Sequence, residues 1–154
     1  MFRNLLGRLF SDPAPGPARH DHLSADDAEL ALAALLVRIA RADDHYDAAE
    51  KRRIEAVLAR RQALGPAEAT ARRGAAEMIE AEAPDTVRFT RTLKERIPIE
   101  DRRDVIAAMW EVALADGTRD PEEDSTIRLV SGLLGVNDRD TALERQRVAR
   151  PGGA

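Results

Sequence analysis

Residues 42–54 read Ala-Asp-Asp-His-Tyr-Asp-Ala-Ala-Glu-Lys-Arg-Arg-Ile, and residues 115–127 read Ala-Asp-Gly-Thr-Arg-Asp-Pro-Glu-Glu-Asp-Ser-Thr-Ile. Both fit one pattern, Ala-Asp-x-x-x-Asp-x-x-Glu-x-x-x-Ile, repeated at an offset of 73 positions. Asp followed three positions later by Glu is the signature of a helix N-terminus. The Asp side chain caps a free backbone N–H, and the Glu sits in the first turn, where negative charge suits the helix dipole. Pro121, one position after Asp120, fits the first helical position of the second copy. The pattern therefore predicts two helices that start near residues 48 and 121, each entered through an acidic loop.

The repeat extends into the apolar positions on either side. Leu36, Ile39 and Ala40 correspond to Met109, Val112 and Ala113, and Ile54 and Val57 correspond to Ile127 and Val130. Two helical hairpins with equivalent inward faces are expected, joined by further helices. The periodicity predicts helices near 25–41, 48–62, 67–82, 85–97, 99–115, 121–134 and 138–149. The expected inward residues include Phe89, Leu93 and Ile97 in the fourth, Val105, Ile106, Met109 and Trp110 in the fifth, Ala71, Ala75, Met78 and Ile79 in the third, and Leu143 and Val148 in the last. Long β-branched runs and Asn-Gly hairpin signals are missing. The fold class that follows is all-α: a compact bundle of about seven helices with an internally duplicated helical hairpin.

With 154 residues the chain is most simply one domain that buries roughly 68–70% of its unfolded surface. It has only five aromatic residues, Phe2, Phe10, Tyr46, Phe89 and Trp110, so the core is built from aliphatic side chains and alanine. Four segments are expected. Residues 1–10 place Phe2, Leu5, Leu6, Leu9 and Phe10 at helical spacing among Arg3 and Arg8, an amphipathic helix suited to a membrane surface, a partner, or the domain's own surface. Residues 11–23 form a Pro-rich linker, 24–149 the helical domain, opened by a capping-box-like Ser24-x-x-Asp27, and 150–154 a flexible tail.

Charge and chemistry narrow the function. Residues 43–50 hold four acids and no base, and residues 116–124 hold five acids and Arg119, so each segment carries −4 in a chain whose total is −4. Paired acidic foci attract cations or a basic partner, and no basic stripe of the kind that tracks a nucleic-acid backbone stands out. Clustered carboxylate oxygens suit hard ions such as Ca²⁺, Mg²⁺ or Mn²⁺. The loops are not EF-hands, because the alternating Asp or Asn ligands, the central Gly and the twelfth-position Glu are missing. Without cysteine there are no disulfides, thiolate sites or thiol redox steps. His20-x-His22 lies in the Pro-rich stretch with no third ligand indicated, and His45 reads as a solvated loop histidine. No Glu-x-x-His pair, nucleophile elbow, P-loop or dinucleotide fingerprint occurs, so neither an enzyme nor an organic cofactor is expected. No stretch approaches the roughly 20 apolar residues of a membrane span, and no secretory signal is present, so the expected location is cytoplasmic, with residues 1–10 allowing contact with the inner face of the membrane.

On these residues, Ala42-Asp43-x-x-x-Asp47-x-x-Glu50 and Ala115-Asp116-Gly-x-x-Asp120-Pro-Glu-Glu123-x-x-x-Ile127, the chain resembles the TerB-like family of tellurite-resistance proteins over about residues 25–148. The resemblance implies a compact all-α domain with a duplicated helical core. It also implies metal or signal sensing in bacterial stress response, near the membrane and within larger protein complexes. Carried over by position, the implied metal ligands are Asp43, Asp47 and Glu50 with Asp116, Asp120 and Glu123. The first copy departs from the family pattern, with Asp44 where the second has Gly117, which adds a charge and removes a residue tolerant of positive φ. A chain without thiols cannot itself reduce or trap tellurite, so any part in resistance is indirect. The competing expectation is a metal-free helical interaction domain whose acidic motifs are helix caps.

Overall fold

Residues Ala25–Ala40 are almost entirely Ala, Leu, Ile and Val after the first turn, and they form a helix that is apolar on every side. In the computed structural model this helix, α1, is buried continuously at Ala31, at Ala33 to Val37, and at Ile39 and Ala40. A helix apolar all round belongs at the centre of a bundle. The structure describes residues 25–41, 46–83, 85–114 and 121–149, apart from the side chains of residues 25, 26, 86, 92, 100 and 121–123. The expectations for residues 1–23, Ser24, the His20/His22 pair, His45 and residues 150–154 lie outside the described residues.

Seven α-helices, and no strand, make up the described residues: α1 (Ala25–Ala40), α2 (Ala48–Arg61), α3 (Pro66–Glu82), α4 (Thr86–Arg96), α5 (Ile99–Leu114), α6 (Pro121–Leu133) and α7 (Asp138–Ala149). The all-α bundle expected from the sequence is the observed architecture. α1 packs along α3, its most extensive partner, and also touches α2, α4, α5 and α6. α5 is the second central helix. It is buried from Val105 to Trp110 and again at Val112 and Ala113, and it packs most extensively on α7. Alanines on α1 (Ala31, Ala33, Ala34) and on α3 (Ala69, Ala76) are fully buried, and such small side chains allow close helix approach. One apolar core runs from Leu35, Leu36 and Ile39 through Phe89, Leu93 and Trp110 to Ile127 and Val130.

The helix ends follow local chemistry. Asp47, Asp85 and Asn137 each accept a hydrogen bond from the amide three residues on, at 2.9, 3.0 and 2.8 Å, and so cap α2, α4 and α7. Pro66 opens α3 at a position where no N–H is needed. α2 and α6 end alike. Ala63 (φ 52°) and Gly135 (φ 82°) are the left-handed residues, and Leu64 N–H donates to Ala59 O at 3.0 Å as Val136 N–H donates to Ser131 O at 2.9 Å. Both make the long bond of a Schellman turn, and α6 completes it with Gly135 N–H to Gly132 O at 3.0 Å, so carbonyls that the helix leaves without partners are satisfied.

The apolar positions paired by the sequence repeat are buried alike: Leu36, Ile39 and Ala40 with Met109, Val112 and Ala113, and Ile54 and Val57 with Ile127 and Val130. Three expected inward residues, Ala71, Met78 and Leu143, are not inward. Met78 is 57% exposed and Leu143 is 45% exposed. On α3 the buried residues are Ala69, Ala76, Ile79 and Glu80, while Ala71 is exposed. Alanines lie all around α3, so its apolar pattern has little direction, and the charged residues on its inner side are neutralised by partners. Arg72 meets Glu29 at 2.6 Å, and Arg73 meets Glu55 at 2.7 Å. On α7 the inner stripe is Thr141, Glu144, Arg145 and Val148. Glu144 is held by Arg103 at 3.4 Å and Arg147 at 3.6 Å, and the Arg145 guanidinium lies 5.5 Å from the centre of the Trp110 ring. Leu143 falls outside that stripe.

Candidate functional site

The two acidic segments enter α2 and α6. α2 begins at Ala48 and α6 at Pro121, so both helix starts keep the 73-residue offset of the sequence pattern. Of the six residues singled out, the side chains of Asp47 and Glu50 are described. Asp43, Asp116 and Asp120 lie outside the described residues, and Glu123 is described only as backbone in the first turn of α6.

Asp47 is the N-cap of α2. It has extended backbone angles, and its Oδ1 accepts the Glu50 N–H at 2.9 Å. The bland reading of the motif is therefore realised at this residue. Glu50 is only 6% exposed, and Arg53 Nη1 donates to its Oε1 at 3.0 Å. A carboxylate at this depth needs such a partner, because an isolated buried charge is costly. Compensating positive charge for the first acidic segment thus comes from one turn further along the helix.

A polar network surrounds the entry to α2. Tyr46 O–H donates to Glu77 Oε1 at 2.6 Å, and two cations lie over its ring, Arg41 at 5.1 Å and Lys51 at 5.3 Å from its centre. Burial and the Glu77 carboxylate push the Tyr46 hydroxyl up to about 12. Arg73 donates to Glu77 and, at 2.7 Å, to Glu55. The hydrogen bond from Arg73 holds the Glu55 carboxyl below the usual range, despite some burial, and the Thr70 hydroxyl at 2.8 Å adds to the effect. Behind the network, Glu80 of α3 is 8% exposed and sits between Arg38 at 3.1 Å and Arg41 at 2.9 Å. Five carboxylates (Asp47, Glu50, Glu55, Glu77, Glu80) thus share a neighbourhood with six cations (Arg38, Arg41, Lys51, Arg52, Arg53, Arg73). Asp43 and Asp44 add two negative charges in sequence.

The network was not foreseen from the sequence. The pairs that tie helices together, Arg38–Glu80, Tyr46–Glu77 and Arg73–Glu55, join residues 18 to 42 positions apart, and no local spacing marks them. The one available signal was Tyr46 itself, the only tyrosine in the chain, placed directly before a helix cap. A second unforeseen contact ties the helical hairpins together: Glu111 of α5 receives both Arg60 and Arg61 from the end of α2.

Among the described residues, no three His or acidic side chains converge closely enough to hold a metal ion. Among the same residues, no helix is long and apolar enough to cross a membrane. No curated protein and no solved structure matches the chain significantly. The family model for tellurite resistance protein TerB matches residues 29–146, a span that starts inside α1, ends inside α7 and includes both acidic helix starts. That match covers well over half of the chain and agrees with the doubled motif and the all-α bundle: the protein belongs to the TerB family.

Proposed function

We propose that the chain is a non-enzymatic stress-response module whose two acidic helix starts take up positive charge, either a divalent cation (Ca²⁺, Mg²⁺ or Mn²⁺) or a basic partner. The observation that carries this reading is the recurrence of the acidic pattern at two helix starts with the same offset in structure as in sequence. Asp47 serves as a cap and Glu50 as the partner of Arg53, so the residues that distinguish cation binding from capping are Asp43 and Asp116. A carboxylate has about four lone-pair sites, so a capping role and an ionic role are compatible for Asp47 and Asp120. The module works in the cytoplasm, recruited to a protein complex at the inner face of the membrane through residues 1–10.

The test is thermal melting with and without millimolar Ca²⁺, Mg²⁺ and Mn²⁺. An ion that binds only the native state at 100 times its Kd stabilises by about 2.7 kcal/mol. A melting temperature indifferent to all three ions sinks the cation reading. Liposome flotation of the full chain and of a chain lacking residues 1–22 tests the membrane contact. Equal flotation of the two, or none by either, contradicts it.

The second reading is a metal-free interaction domain. The Asp47 cap and the Glu50–Arg53 pair favour it, because each gives an acid of the motif a structural task. Under that reading the acidic loops present a docking face to a basic protein, and melting is unchanged by ions.

A further inference from the structure

The opposite end of the α5–α6 hairpin carries the opposite charge. The second acidic segment joins the end of α5 to the start of α6, whereas the start of α5 and the end of α6 meet the end of α4. At that junction lies an open groove of about 630 Å³, within the usual range for a binding cleft. Its walls are Arg91, Lys94 and Glu95 from α4, Ile97, Pro98, Ile99 and Arg102 from the turn into α5, and Gly132 and Leu133 from α6.

Three features make this groove more than a gap between helices. Arg102 fixes its shape, donating to Lys94 O at 2.7 Å, Ile97 O at 3.2 Å and Leu134 O at 3.4 Å, so that one guanidinium ties the ends of α4 and α6 to the start of α5. Arg91 and Lys94 are exposed on the rim and form no ion pair among the described residues. They lie one helical turn apart, following the exposed Arg88, and the Lys94 side chain passes close to Gly135 at the end of α6. The third feature is apolar surface. Ile99 is 70% exposed, the largest value among the described large apolar residues, and half-buried Pro98 and Leu133 flank it. Gly132 leaves the α6 wall bare: a Cβ built there meets nothing within 4 Å.

From this geometry we infer that the α4–α6 groove binds an acidic amphipathic peptide segment of a partner protein. The apolar side chains of the segment rest on Pro98, Ile99 and Leu133, and its carboxylates pair with Arg91 and Lys94. Charge complementarity selects this occupant. The groove lining holds three cations and one acid in a chain of net charge −4, so an acidic segment is attracted here and repelled by both acidic helix starts. A nucleic acid finds no aromatic side chain in the lining on which to stack a base. The site is separate from the acidic segments, so it stands or falls independently of the cation reading.

The experiment uses the full chain and a fluorescein-labelled amphipathic peptide of Glu and Leu, about 15 residues long, the length of a helix that fills a groove. Its Gln-for-Glu counterpart is the control, and fluorescence anisotropy is the readout. Two variants are compared with the parent: Arg91→Glu/Lys94→Glu, which reverses the rim, and Gly132→Leu, which fills the groove where space is open. Circular dichroism melts confirm that both fold, and Arg102 is left intact. The inference predicts saturable binding of the Glu peptide that weakens with salt and falls tenfold or more in each variant, with weaker binding of the Gln peptide. It is overturned if the Glu peptide does not bind, if either folded variant binds it as the parent does, or if the Gln peptide binds equally well. It is also overturned if phosphatidylglycerol vesicles or a single-stranded oligonucleotide bind through Arg91 and Lys94 while the peptide does not.

Discussion

Asp47→Ala separates the structural task of the acidic motif from its proposed ionic one. In the fold Asp47 Oδ1 accepts the Glu50 N–H at 2.9 Å, satisfying one of the amides that the start of α2 leaves open. Removing an N-cap of this kind costs about 1 kcal/mol, within a range of roughly 0.5–2. Asp47 is exposed, so no cavity term adds to that figure. For a chain of this length, about 1 kcal/mol corresponds to a fall of roughly 2–4 °C in Tm. Urea denaturation and thermal melting in excess EDTA measure the effect without any contribution from bound ions. Asp47→Asn keeps a capping oxygen and is expected to stay within a few tenths of a kcal/mol of the parent. The reasoning is refuted if Asp47→Ala in EDTA is as stable as the parent, or if Asp47→Asn loses as much as Asp47→Ala.

Three further outcomes follow from the network and the helix ends. Tyr46 is the only tyrosine, so the near-ultraviolet absorbance of tyrosinate reports it alone, and its titration should centre near 12 in the folded chain. Because this folded value lies above the ordinary 10, stability is full below pH 10 and falls as pH rises toward 12. Tyr46→Phe removes that fall and at neutral pH costs about 1 kcal/mol for the lost bond to Glu77. A Tyr46 titration centred near 10 contradicts this account. Glu55 has a lowered carboxyl value through Arg73, so its contribution is present above the ordinary 4.5 and lost as pH falls below it. Arg73→Met should remove this acid-side loss while lowering stability at neutral pH, and an unchanged acid unfolding profile contradicts it. Ala63→Gly should stabilise by about 0.5–1 kcal/mol by relieving the left-handed alanine, and Gly135→Ala should destabilise by about 1 kcal/mol. In the second variant the nearest neighbours of the added methyl are the flexible Lys94 and Arg102 side chains, from 3.4 Å, so the strain is mainly in the backbone. Opposite signs in chemical denaturation are the check.

The fold was largely legible because its two central helices are written plainly. The Ala/Leu/Ile run of α1 and the Val105–Ala113 run of α5 allow no other placement, and the Asp47 cap, Pro66 and the left-handed Gly135 punctuate the chain where helices start and stop. What sequence spacing could not supply was the pairing of charges between helices. Nothing in the sequence marks Glu80 and Glu144 for burial, and they are buried because Arg38, Arg41 and Arg103 arrive from distant positions to neutralise them. The same blindness misplaced Met78 and Leu143: where paired arginines and glutamates occupy an inner stripe, polarity no longer marks the outside. The acidic motif was legible as a repeated helix start, and the capping half of its reading can be seen in Asp47. The basic rim formed by Arg91 and Lys94 was hidden for another reason. Its cations are spaced three apart and interleaved with apolar residues, so they form a patch only once α4 is wound and set against α5 and α6.

Isothermal titration of metal-stripped protein with Ca²⁺, Mg²⁺ and Mn²⁺, comparing the parent with Asp43→Asn/Asp116→Asn, tests the central claim most directly. These two acids precede the capping positions, so their replacement should leave the metal-free melting temperature unchanged. The account predicts saturable binding of at least one ion by the parent and its loss in the double variant. Absence of binding by the parent, or equal binding by the variant, contradicts it.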